Sequence, residues 1–174
     1  MSDDPVQTII ESDIGHLSFQ EYFVKHQSKP CIRNISFNGS TEASISPELK
    51  TVIKDNGFKA IIVCPSNPYL SIDPILSIKE IKSFIESSSI PVVAVSPIIG
   101  GKALRGPAAK IMHEMDIPVS VKSIAEHYHP LIDGLVIDHK DKIMSSKMQS
   151  MGIAVQVTNT VMNCDSDKIQ LAQD

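Results

Sequence analysis

The sequence predicts an α/β domain built on a mostly parallel sheet. Three observations carry that reading. Four short runs, "KAIIVC" from Lys59, "PVVAVSP" from Pro91, "GLVID" from Gly134 and "IAVQV" from Ile153, are predominantly apolar rather than alternating. Stretches with helical spacing separate them. No internal repeat, low-complexity run or linker interrupts the 174 residues, enough for one domain with a real core. Strands apolar on both faces and alternating with helices belong to parallel sheets.

The elements follow in order. Val6 to Glu11 and His16 to Phe19 flank Ser12-Asp13-Ile14-Gly15, a turn sequence, so they read as a hairpin. "FQEYFVKHQ" reads as a short helix ended by Lys29-Pro30. "IRNISFNG" reads as a strand through Ile32, Ile35 and Phe37. Ser46 and Pro47 then suit the N-cap and first position of a helix over "ELKTVIKDNG", with Gly57 as its stop. After the first buried strand, "DPILSIKEIKSFIESS" sets Ile75, Leu76, Ile78, Ile81 and Phe84/Ile85 on one helical face, with Asp73 as N-cap and Pro74 at the first position. "GPAAKIMHEMD", "SVKSIAEHYHPLI", "DKIMSSKMQSMG" and "SDKIQLAQ" supply the remaining helices. The chain therefore reads as a single α/β domain over residues 1–174, with 1–45 a hairpin and connecting region and 46–174 the alternating βα part.

Composition removes several functions. The net charge is −4 and no dense Lys/Arg block exists, so a nucleic-acid face is not expected. No apolar run approaches the ~20 residues of a membrane span, and the N-terminus lacks the pattern of a signal peptide. Cys31, Cys64 and Cys164 are isolated. They read as packing residues in a reducing cytoplasm. His127 and His129 stand two apart, a spacing at which helical side chains do not converge on a metal. The methionines of "KIMHEMD" and "IMSSKMQSM" fall at helical spacing and read as core.

Parallel sheets bind ligands outside the carboxyl ends of their strands. That rule selects the loops after Cys64, Val95 and Val157. The first, Pro65 to Pro74, offers Ser66, Asn67 and Ser71 between prolines that restrict the backbone. Asp73, as a cap, would repel an anion at the helix start and leave it to the Ser66 and Asn67 amides. The second loop, "SPIIGGKALRGP", pairs Gly100-Gly101, suited to close backbone approach, with Lys102 and Arg105, suited to neutralising a diphosphate. Asp3 and Asp4 are adjacent acids ahead of a strand, suited to Mg²⁺ or hydroxyl groups.

These segments, "MSDDPVQT", "EASISP", "CPSNPYLSIDPIL", "VVAVSPIIGGKALRGPAAKIM", "SIAEHYHPLIDGLVID" and "NTVMNCDSDKIQLA", occur in an order that resembles the 2-phospho-L-lactate transferase family (CofD) along essentially the whole chain. The resemblance implies a Rossmann-like three-layer fold and a cytoplasmic transferase (EC 2.7.8 type) of deazaflavin coenzyme F420 biosynthesis. Such an enzyme moves a phospholactyl or phosphoenolpyruvyl group from its guanosine diphosphate adduct to hydroxydeazaflavin (Fo). GMP leaves, Mg²⁺ assists, and a homodimer is expected. Carried over by position, Ser66, Asn67, Pro68 and Ser71 form one donor-binding loop. Ser96, Pro97, Gly100 and Gly101 form the second, with Gly106 and Pro107 at its exit. Asp3 and Asp4 line the acceptor side, and Lys102 and Arg105 are candidates for charge neutralisation. The resemblance assigns no catalytic base.

The family's chains are longer, and their equivalent of "MSDDPV" lies well inside them. By that resemblance the present chain corresponds to a C-terminal portion. The missing N-terminal βα portion would carry a Gly-Gly-Thr-Gly-type loop and the Mg²⁺ ligands. The expectation is a sheet with a raw edge or uncovered face, and a chain that is poorly soluble or inactive alone. Two other readings stand beside this one. The first is a non-catalytic nucleotide-sugar-binding regulator of a related family, which carries Gly-Ser where this chain has Ser66-Asn67-Pro68. The second is an inert fragment.

Overall fold

The computed structural model describes residues 1–55 and 57–174. In chain order its strands are β1 (Gln7–Ser12), β2 (Gly15–Ser18), β3 (Ile32–Asn38), β4 (Ile61–Val63), β5 (Val92–Val95), β6 (Ile98–Ile99), β7 (Lys102–Ala103), β8 (Gly134–Asp138) and β9 (Ala154–Thr158). The α-helices are α1 (Pro47–Lys54), α2 (Asp73–Leu76), α3 (Lys79–Ser87), α4 (Ala108–Glu114), α5 (Val121–Tyr128), α6 (Ser145–Gln149) and α7 (Asp165–Gln173). π-helical turns span Glu21–Lys25 and Pro68–Ile72, and a 3₁₀ helix spans His139–Met144.

The chain forms two compact units that interleave in sequence. One takes residues 1–58, 67–88 and 110–117; the other takes 59–66, 89–109 and 118–174. Ala43, Ile45, Ile78 and Ile81 share one buried cluster, against which Val6, Leu49, Ile53, Ile75 and Ile85 pack. The apolar faces of α1 and α3 thus bury on the N-terminal segment and draw both helices out of the alternating part.

In the first unit β1 is central to an antiparallel sheet ordered β2-β1-β3, with Ile10 opposite both Leu17 and Ile35. The predicted hairpin is present. The Ser12 hydroxyl donates to the Gly15 carbonyl at 2.7 Å and accepts the Ile14 N–H, closing the turn on itself. Gly39, at φ +86°, ends β3 where a Cβ would stand 2.3 Å from the Pro5 carbonyl oxygen, so no other residue fits. Ser46 caps α1 as predicted, accepting the Leu49 N–H with Pro47 next. Asn56, in the stretch read as the end of that helix, lies outside the described residues.

The second unit holds the four-stranded sheet β4-β5-β8-β9, parallel throughout. Val93 is opposite Gly134, and Gly134 is opposite Ala154. The α/β fold class read from the four apolar runs is therefore correct. One face is covered: Val92, Ala94, Leu135 and Ile137 are buried, α6 packs on β9, and α5 packs on α6 and β6. Met148 is fully buried here, and so is Met112 of α4, in the other unit. The opposite face is open. Ile62, 67% exposed, lines with Val93, Val136, Gln156 and Leu171 of α7 a largely apolar groove of about 700 Å³. Runs apolar on both faces do not report which face finds a cover.

Two further readings are corrected. "DPILSIKEIKSFIESS" is not one helix: α2 ends at Leu76, and Ile78, in extended conformation, precedes α3. The three cysteines are exposed rather than packed in the core.

Candidate functional site

The second unit presents the carboxyl edge of its parallel sheet through the loops that follow β5, β8 and β9. After β5, Ser96 turns the chain. Its N–H continues the sheet by donating to the Val136 carbonyl at 3.0 Å. Its hydroxyl, 2% exposed, donates to the Ile98 carbonyl and accepts the Ile98 N–H. Ser96 is thus spent on shaping the loop.

Beyond it, β6 and β7 pair antiparallel across Gly100-Gly101. The glycines have φ +56° and +73°. A two-residue hairpin with positive φ at both central positions is a type I′ turn, which glycine adopts without strain. The glycine pair therefore has a hairpin reason to exist, whatever else it does. The Gly100 N–H donates to Asp141 Oδ2 at 2.8 Å. Lys102 and Arg105 are exposed, and neither is in an ion pair among the described residues. Gly106 takes φ +69° ahead of Pro107, and α4 begins at Ala108.

The loop after β8 carries residues that the sequence reading missed. Asp138 ends the strand and caps the 3₁₀ helix, accepting the Lys140 N–H at 3.0 Å on one oxygen. Its other oxygen accepts the Thr160 N–H, from the loop after β9, at 3.2 Å. Asp141 follows one turn later. Nothing in "VIDHKD" but a polar residue ending an apolar strand marked these carboxylates.

The Pro65–Pro74 loop passes from one unit to the other between Ser66 and Asn67. On one side the Ser66 N–H closes a tight turn on the Cys64 carbonyl at 2.7 Å. On the other, Asn67 Oδ1 accepts the N–H groups of Tyr69 and Leu70 at 3.0 and 3.2 Å. The cap assigned to Asp73 is therefore corrected. The helical path starts at Pro68, with Asn67 as its cap, and Asp73-Pro74 only begins α2 within it. A π-turn and α2 run together without an extended residue between them, so Asp73 has no free N-terminus to cap. Asn67 Nδ2 is buried with no hydrogen-bond partner among the described residues. Ser71 is exposed and Pro68 buried. Burial, reinforced by the Asp73 charge, pushes the Tyr69 phenol up to about 12.

Asp3 and Asp4 are exposed, at an N-terminus stitched to residues 44–46. Asp4 Oδ2 accepts the Ser44 N–H at 2.8 Å, and Ser46 donates to the Met1 carbonyl. Ser66, Ser96, Pro97, Gly100, Gly101, Lys102, Arg105, Gly106 and Pro107 belong to one unit; Asp3, Asp4, Asn67, Pro68 and Ser71 belong to the other. Among the described residues no group of three His, Cys, Asp or Glu side chains is placed to hold a metal ion.

A parallel sheet with shaped, glycine-containing loops at its carboxyl edge defines the class of α/β proteins that bind ligands at that edge. The sequence model of the family described as 2-phospho-L-lactate transferase CofD matches residues 1–173, and the chain belongs to that family. It is 38% identical over 162 residues to the 2-phospho-L-lactate transferase of Methanococcoides burtonii, covering 93% of this chain and 52% of that protein. The corresponding protein of Methanosarcina mazei is 35% identical over 173 residues, with 99% and 56% covered. That of Methanopyrus kandleri is 36% identical over 179 residues, with 100% and 54% covered. The chain thus spans about half the length of these relatives. A crystal structure of a UPF0052-family protein from Bacillus halodurans superposes with a TM-score of 0.61 at 14% identity, covering 98% of this chain and 59% of that one. At that identity the likeness concerns the fold alone. No helix among the described residues is long and apolar enough to cross a membrane.

Proposed function

We propose that this chain supplies the donor-binding loops of a cytoplasmic transferase in coenzyme F420 biosynthesis. In the proposed reaction the ribityl hydroxyl of hydroxydeazaflavin (Fo) attacks the phosphorus that carries the lactyl or enolpyruvyl group in its guanosine diphosphate adduct. The new O–P bond forms, the P–O–P bond breaks, and GMP leaves with the electron pair. The hydroxyl proton goes to solvent or to a base that this chain does not identify. What the protein must do is hold the diphosphate, neutralise its charge and align the hydroxyl.

Family membership supports the reaction class. The single observation that carries the site is Asn67. Its carbonyl oxygen is committed to the turn, while its NH₂ is buried without a partner among the described residues. A buried donor left unmade is costly, and a phosphate oxygen is the acceptor that would satisfy it. Lys102 and Arg105, exposed on the loop after β5 of the second unit, are proposed for charge neutralisation on the strength of the family resemblance alone. Asp3 and Asp4 are proposed for the acceptor side, although Asp4 already serves the Ser44 amide. The described residues do not fit the Mg²⁺ that the resemblance implies, so no step is routed through that ion.

The relatives carry roughly as much chain again outside the matched part, and the open apolar face of the sheet fits a need for it. The 174-residue chain is accordingly proposed to bind nucleotide without turning over by itself.

Titration calorimetry with GDP tests the reading, using Asn67→Asp as the variant. The aspartate keeps the capping oxygen but replaces the buried donor with a charged acceptor. GDP should bind the unaltered chain in preference to a uridine diphosphate sugar, and Asn67→Asp should weaken it by at least about 30-fold, as for a lost charge-assisted bond turned repulsive. Equal affinity in the variant would remove Asn67 from the site, and preference for the uridine sugar would favour the regulator reading instead.

A further inference from the structure

We infer that Asp141, together with Asp138, is a positioning residue for the proposed donor site: two buried carboxylates clip together the three loops at the carboxyl edge of the parallel sheet. Asp141 is 7% exposed and Asp138 4%, and neither is in an ion pair among the described residues. A buried carboxylate is tolerated only where hydrogen bonds replace its hydration. Here those bonds come from backbone N–H groups of three separate loops. Asp138 holds Lys140 in its own loop at 3.0 Å and Thr160 after β9 at 3.2 Å, with the Thr160 hydroxyl at 3.5 Å from the same oxygen. Asp141 holds Gly100 after β5 at 2.8 Å. The two acids stand three residues apart on the capped 3₁₀ turn, so one short element aims one carboxylate at each neighbouring loop.

The consequence for the site is specific. The type I′ turn at Gly100-Gly101 would otherwise be a two-residue hairpin with little to fix its tip. With the Gly100 N–H bound to a carboxylate, the tip is fixed, and that N–H is withdrawn from any ligand. A phosphate cannot share it, because the Asp141 charge already occupies that side of the turn. Asp141 therefore sets where the anion does not go and holds Lys102, two residues on, at a defined place. The Lys140 stem adds to this, since a Cβ on Gly100 would stand 3.7 Å from Lys140 Cδ. This inference rests on the proposed donor-binding role of the loop.

The test uses the whole chain labelled with ¹⁵N-glycine, eight residues in all, with GDP as the probe. Asp141→Ala should raise hydrogen exchange at the Gly100 amide about tenfold and weaken GDP about tenfold, while Asp141→Asn, which keeps an acceptor oxygen, should restore both to within about threefold. The Gly100 amide resonance should move upfield in Asp141→Asn, as its acceptor loses charge. That shift decides the contact even if Asp141→Ala fails to fold. Unchanged Gly100 exchange and shift would overturn the clip. Faster exchange with unchanged GDP affinity would leave Asp141 a packing residue and overturn its positioning role. If GDP does not bind the unaltered chain, the donor-site reading falls and takes the positioning role with it, whereas the Gly100 response still reports the clip separately.

Discussion

Glu114 Oε2 accepts the Ile32 N–H at 3.0 Å across 82 positions of sequence. One turn earlier on α4, Lys110 Nζ donates to the Pro30 carbonyl at 2.7 Å, pairs with Glu114 at 2.5 Å and lies 5.8 Å from the centre of the Tyr22 ring. One i, i+4 pair thus grips the start of β3 by both backbone polarities. Removing the carboxylate leaves a donor and a cation short of a partner. Glu114→Ala should destabilise the chain by about 2 kcal/mol and Glu114→Gln by about half as much, measured by urea unfolding. A loss below about 0.5 kcal/mol in Glu114→Ala would place this contact among ordinary surface pairs.

Asn67 separates capping from binding. Asn67→Ala removes the acceptor for the Tyr69 and Leu70 N–H groups and should cost about 1 kcal/mol. Asn67→Asp keeps that acceptor but buries a carboxylate oxygen without a donor in place of the NH₂, so it should cost on the order of 1–3 kcal/mol, and its GDP binding is compared at a temperature where the variant is still folded. Thermal melts run beside the calorimetry check this.

The Tyr69 phenol gives the chain an alkaline limit. Its pKa is about 12 in the folded chain, against about 10 when unfolded. The fold favours the neutral form. Its contribution is whole below about pH 10 and is lost as pH rises through about 12, on the order of 2–3 kcal/mol at full loss. Tyr69→Phe should flatten the fall in stability between those values. Burial also holds the Tyr22 phenol up, so some slope should persist. A curve unchanged by Tyr69→Phe would mean that Tyr69 is not what titrates.

Gly39→Ala should cost at least about 3 kcal/mol, because the added Cβ meets the Pro5 carbonyl at 2.3 Å and φ is +86°. Gly57→Ala, where a Cβ meets nothing within 4 Å, is the control and should stay within about 0.5 kcal/mol. Comparable losses in both would refute the steric account.

The open sheet face should be detectable as such. An apolar groove of about 700 Å³ should bind a hydrophobic dye and promote self-association. Ile62→Glu should reduce both while costing under about 0.5 kcal/mol, since Ile62 is 67% exposed. Dye fluorescence and light scattering give the answer, and an indifferent Ile62→Glu would place the exposed apolar surface elsewhere.

What the sequence determined by itself was whatever lies within a few residues or repeats with a period. The runs at β4, β5, β8 and β9 identified the parallel sheet because apolar side chains without alternation are a local pattern. Ser46-Pro47 identified the start of α1 because a cap reaches only three residues. The same locality explains the errors. Asp73-Pro74 is as good a helix start on paper as Asn67-Pro68, and only the folded backbone, running helically through both, decides that Asn67 caps. The tertiary structure alone decided the rest. α1 and α3 joined the N-terminal segment because their apolar faces found Ala43 and Ile45 there. Asp138 and Asp141 became clips because the topology brings the loops after β5 and β9 to either side of β8. A hydrogen bond across 41 positions leaves no periodicity to read, since its geometry exists only once the strands have been put in order.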